Sequence, residues 1–222
     1  MLRVQGGGPP GAEALAELCT AYWFPLYGWA RRSGVPAADA EDLVQGFFAN
    51  VVRKRLFERA NEAKGRLRTF LLTSFRHYRA DVHDHVSAER RGADRVVSFD
   101  ALAGEESYLA EGVSAATPDA FYDRQWALTV LEQAMRRVAD DYARRNKGAD
   151  YAQLQRYLTE TGDADYESDA EALGISAGAV KVAVHRLRDR FREALREEVG
   201  STQEDEENID EELAHLLRAL EV

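Results

Sequence analysis

AEALGISAGAVKVAVHRLRDRFREAL, from Ala170 to Leu195, decides how this chain folds. A short helix ends near Leu173. Gly174 can take the left-handed conformation that closes it, and Ile175 is placed to plug the turn. Ser176 follows as the N-cap of a longer helix. In that helix Val180, Val184, Leu187, Phe191 and Leu195 form one apolar stripe. About 100° around the axis, Lys181, His185, Arg188 and Arg192 form a basic stripe at the same spacing. A helix with one apolar and one basic stripe behind a tight glycine turn is what major-groove recognition requires. A solvated bundle helix would explain the basic stripe alone. The Gly-Ile-Ser turn at the right offset favours DNA contact, with Ser176, Lys181, His185, Arg186, Arg188 and Arg192 as the contacting residues.

The remainder of the chain is helical in pattern. Leu15, Leu18, Cys19, Tyr22 and Leu26 recur at helix spacing, with Pro25 expected to kink that helix. A turn at Ser33-Gly34-Val35-Pro36 leads to a second helix starting at Asp39, which buries Val44, Phe47, Phe48 and Val51. A longer helix follows an irregular stretch around Asn61 to Gly65 and carries Leu67, Leu71, Phe75, Tyr78 and Val82 on one face. Periodicity fades from about Ala93 to Pro118 and resumes with Phe121, Trp126, Leu128, Leu131, Met135 and Val138. The expectation is an all-α protein of two helical domains joined by an acidic flexible linker. Its parts are a flexible leader (1–11), a first domain (12–92), the linker (93–120), a helix-turn-helix domain (121–199) and an acidic tail (200–222).

Net charge is −10, yet the charges are segregated. Residues 51–95 hold twelve Lys/Arg against six Asp/Glu, a local +6. Residues 96–120 carry −5 and residues 200–222 carry −7. A nucleic acid meets the local field, so global acidity does not exclude one. The N-terminus lacks the apolar core of a signal peptide and no apolar run is long enough to span a bilayer, so a cytoplasmic protein is expected. Cys19 is the only cysteine, which excludes an internal disulfide and a thiolate metal cluster.

Two further segments join the helix-turn-helix. In DAEDLVQGFF (Asp39 to Phe48), Glu41, Asp42 and Gln45 can share an exposed face framed by apolar residues, a surface suited to a basic helical partner. The same letters also make an ordinary helix start, with acids at the positive end of the dipole. In GRLRTFLLTSFRHYRAD (Gly65 to Asp81) and the turn beyond it, Arg68, Arg76, Arg79 and His83 are expected to project together beside aromatic residues, as an opened single strand requires.

In this order and spacing the segments resemble the extracytoplasmic-function sigma factors of bacterial RNA polymerase. Ala179 to Arg192 is particularly similar to planctomycete-like forms. The likeness covers about Ala12 to Val199 and departs from common members over Tyr142 to Tyr166. It implies that Asp39, Glu41, Asp42 and Gln45 dock on core RNA polymerase. By the same likeness Arg68, Arg76, Arg79 and His83 meet the −10 element, and the helix-turn-helix reads the −35 element of promoter DNA. An anti-sigma factor or a kinase-linked regulator is a further candidate partner.

Other classes have less behind them. His83-Asp84-His85 places its histidines on different sides of a helix, which makes a poor metal site. No catalytic motif, phosphate loop or dinucleotide fingerprint occurs, so neither an enzyme nor a cofactor is expected. The rival is a helix-turn-helix regulator that binds duplex DNA without polymerase. The tail ends in an amphipathic pattern of Ile209, Leu213, Leu216, Leu217 and Leu220. It could fold back on a basic face, bind a regulator, or remain solvated with a frayed helix.

Overall fold

A computed structural model describes residues 9–54, 67–86, 101–110, 117–159, 165–200 and 206–221. All regular structure among them is helical, and none of these helices is long and apolar enough to cross a membrane. The helices are α1 (Pro9–Arg32), α2 (Ala37–Arg53), α3 (Leu67–Val86), α4 (Ala101–Ala110), α5 (Pro118–Arg144), α6 (Gly148–Leu154), α7 (Tyr166–Leu173), α8 (Ala177–Gly200) and α9 (Glu206–Leu220). A 3₁₀ turn, Gln155–Leu158, continues α6.

The described chain divides into two compact units, residues 1–128 with 201–222, and residues 129–200. The division falls inside α5, later than the expected boundary near residue 120, and α9 belongs to the first unit. α1 begins at Pro9, inside the expected leader. Proline suits the first turn of a helix, where its missing N–H has no intrahelical partner to lose. The irregular stretch at Asn61 to Gly65 lies outside the described residues.

The first unit is built on aromatic packing. Val44, Phe47, Phe48 and Val51 of α2 are all buried, as their spacing predicts. Phe47 and Trp29 meet the ring of Phe75 edge-on, with centroids 5.2 and 5.7 Å away. Gly28 lets α1 approach α5 closely, because a Cβ there would run into the Phe121 ring. Cys19 is half-buried, and burial pushes its thiol up to about 11, which suits an inert packing residue.

The expected linker is not structureless throughout. α4 lies within it and packs on α1: Glu105 takes Arg31 in a bidentate pair at 2.8 and 3.0 Å and also accepts from the Tyr27 hydroxyl. A Cβ at Gly104 would press on Trp23. These long-range partners, and not amphipathic spacing, hold the helix. The tail helix α9 also differs from a solvated segment, since it buries Glu212, Leu216 and Ala219.

The second unit packs Ala134, Val138, Tyr142, Tyr151, Leu154, Tyr157, Ala170 and Val180 together with Val184, Leu187 and Ala194 of α8. Three helix ends among the described residues close the same way. Gly34, Asn146 and Gly174 have φ of 84°, 57° and 65°. After each, the next amide donates back to the carbonyl five residues earlier: Val35 to Ala30, Lys147 to Tyr142, and Ile175 to Ala170.

Candidate nucleic-acid interface

The helix-turn-helix forms where the sequence places it. α7 starts on the Asp165 side chain, which accepts from the Ser168 amide, and ends at Gly174 in the left-handed conformation. Ser176 caps α8, its hydroxyl accepting from the Ala179 amide at 3.2 Å. Val180, Val184 and Leu187 are buried, with Phe191 and Leu195 packed against them. Ile175 does not plug the turn and is 42% exposed. Ala170 and Val180 fill the inside of the turn instead.

Asp169 ties α7 to the segment before it. Its carboxylate is fully buried and accepts from Gln153 Nε2 at 2.6 Å, from Arg156 Nη2 at 2.7 Å and from the Tyr157 hydroxyl. Burial opposes its charge, but the three donors outweigh burial and hold the carboxyl below its ordinary range. No spacing rule pointed to this residue.

The basic stripe of α8 is turned partly toward its own unit. Arg188 donates from Nε and Nη2 to the Tyr157 carbonyl at 3.2 and 3.1 Å. The Lys181 ammonium sits 5.3 Å from the centroid of the Tyr166 ring, which stacks on Tyr157. His185 and Arg192 pair with Asp189 at 2.8 and 2.5 Å. Arg186 differs from all of these: it is exposed and makes no ion pair among the described residues. At 100° per residue, Ala179, Val182 and Arg186 fall on one face opposite the buried stripe. Val182 is 50% exposed. The outward face of α8 therefore begins apolar and continues with an unpaired arginine, a combination that suits base edges and thymine methyl groups.

In the first unit the expected arginine face of α3 requires correction. Arg68 does not project; it is 7% exposed. Its guanidinium donates to Glu212 Oε1 at 2.8 Å and to Asp123 Oδ1 at 2.5 Å, and lies 5.1 Å from the Trp126 ring centroid. Burial works against its charge, but Glu212 and Asp123 together raise its affinity for the proton. Position 68 shares its side of α3 with buried neighbours, because α5 and α9 cover that end of the helix. Arg76 stays partly exposed yet pairs with Asp119, which also accepts from the Trp29 indole N–H at 2.8 Å. Arg79 donates to the Ser33 carbonyl at 3.3 Å, and both Arg76 and Arg79 lie 5.5 Å from the Trp29 ring centroid. His83 is in the last turn of α3, and its side chain lies outside the described residues.

On α2, Asp39 and Asp42 are exposed and unpaired among the described residues. Gln45 Nε2 donates to Glu41 Oε1 at 2.9 Å, so these two half-buried side chains form one hydrogen-bonded pair beside the free carboxylates.

No protein-family model, no curated protein and no solved structure matches this chain.

Proposed function

We propose that the chain is an extracytoplasmic-function sigma factor, a cytoplasmic helical subunit that binds core RNA polymerase and directs it to promoter DNA. The observation that carries the reading is the capped, glycine-closed helix-turn-helix. Its second helix presents Ala179, Val182 and the unpaired Arg186 away from the core. In this reading α8 enters the −35 duplex, Arg186 reaches a base edge, and Lys181, His185 and Arg192 lie along the flank that meets phosphates. Arg188 supports the helix from behind through Tyr157. The free carboxylates of Asp39 and Asp42, with the Glu41–Gln45 pair, dock on a basic helical surface of the polymerase. Arg76 and Arg79 face the opened −10 strand, and His83 follows them on the same helix.

The test is co-elution of the purified chain with bacterial core RNA polymerase. Stable co-elution that is lost on Asp42→Arg, with the helical content unchanged, is the expected result. Co-elution indifferent to Asp42→Arg overturns the docking assignment. A second reading has one observation in its favour. The arginines of α3 are engaged by the chain's own groups while the outward face of α8 is open, as suits a regulator that binds duplex DNA alone. Specific duplex binding with no affinity for core polymerase would establish that reading instead.

A further inference from the structure

Three carboxylates from two other helices sit on the arginines of α3. Asp119 and Asp123, four residues apart on α5, take Arg76 and Arg68, and Glu212 of α9 closes on Arg68 from the other side. Each guanidinium also has an aromatic ring beside it, Trp29 for Arg76 and Trp126 for Arg68. A carboxylate and a ring around an arginine reproduce what a nucleotide offers, a phosphate oxygen and a base. Stability alone is a weak reason for such an arrangement, because apolar residues of the same volume serve a buried site at least as well.

We infer that Asp119, Asp123 and Glu212 occupy the arginine face of α3 in place of nucleic-acid phosphates, so that the free chain masks this face until a strand displaces them. The inference rests on the proposed reading of that face and adds its regulation. The two ends of the clasp differ. Arg76 and Asp119 are 42% and 54% exposed and form a solvent-screened pair that a phosphate displaces easily. The side chains of Arg68 and Glu212 are 9% and 1% exposed and desolvated, and they open only if α9 leaves. α9 is suited to leaving. It is joined through only five residues, Ser201 to Asp205, and its outward Leu217 is 62% exposed. A strand therefore engages first at Arg76 and Arg79, and Arg68 is recruited afterwards.

The experiment uses the full chain and a fluorescein-labelled 20-nucleotide single strand of mixed sequence, followed by anisotropy at low salt. Asp119→Asn and Glu212→Gln, singly and together, are compared with the parent, with thermal melting as the check on folding. The double variant is expected to bind about tenfold more tightly, since freeing Arg76 and loosening the hold of α9 on Arg68 both add phosphate contacts. Adding Arg76→Ala and Arg79→Ala should abolish that gain. Equal binding by parent and variants, still dependent on Arg76 and Arg79, overturns the clasp and leaves the face intact. No binding by any form, or binding indifferent to Arg76 and Arg79, overturns the nucleic-acid reading of α3 and the clasp with it. If Glu212→Gln unfolds the chain, Asp119→Asn on the exposed pair decides the question alone.

Discussion

Replacing Asp169 by Asn keeps the shape of the side chain and removes its charge. The new amide oxygen can keep Arg156 and Tyr157, which share one carboxylate oxygen, but its NH₂ then points at Gln153 Nε2, and the charge that balanced Arg156 is gone. Removing one partner of a buried ion pair costs about 3–5 kcal/mol when the other charge is trapped. Here Arg156 is 39% exposed and can turn to water, so the expected loss is smaller, about 2–3 kcal/mol. That is roughly a 30- to 160-fold fall in the ratio of folded to unfolded second unit. Tyr157→Phe removes one donor and leaves the charge satisfied, for about 1 kcal/mol. Urea unfolding separates the units, because Trp23, Trp29 and Trp126 all lie in the first. Tryptophan emission should hold its midpoint while the backbone circular dichroism gains an early transition. The acid limb gives a second readout. Asp169 is held below its ordinary value of 3.8, so its contribution is complete above about that pH and is lost as pH falls through the folded value. Asp169→Asn should flatten that part of the acid slope. A shift under about 0.5 kcal/mol, or an equal shift in the tryptophan transition, would refute the assignment of Asp169 as the anchor of α7.

Gly28→Ala places a methyl in the Phe121 ring and should destabilise the first unit by about 1–3 kcal/mol, seen as an earlier tryptophan transition. Arg186→Ala and Arg188→Ala should separate cleanly in electrophoretic and melting assays on a duplex selected by the chain. The first should weaken binding by about 1–3 kcal/mol with the melting temperature unchanged. The second should lower the melting temperature and weaken binding only through it, because its two donors serve the Tyr157 carbonyl.

What the sequence made legible was local. Gly174 and Ser176 announce a helix end and a helix start within three residues, and the geometry follows them. The same holds for the buried face of α2, since Val44, Phe47, Phe48 and Val51 can all lie inward only if the segment is a helix. The missed features depend on partners distant in the chain. α4 is ten residues long and has no apolar stripe worth the name, and its helix stands on Glu105 meeting Arg31 some seventy positions earlier. Arg68 shares its charge and helix with Arg76, and periodicity cannot reveal that Glu212, 144 residues later, covers one and not the other. Ile175 has the right residue type for a plug. The backbone bond from its amide to Ala170 fixes the turn without needing its side chain.

Those helix ends also bear on how such a chain diverges. Gly34, Asn146 and Gly174 each close a helix with backbone amides and one positive φ, so the exit angle of the chain is set at a single position apiece. Cores tolerate exchange among apolar residues of similar volume. A lineage that keeps three small residues and an apolar rhythm can therefore rewrite nearly every surface letter and hold its shape. Kinship in such a lineage would persist in the placement of a few turns long after residue-by-residue identity has worn away.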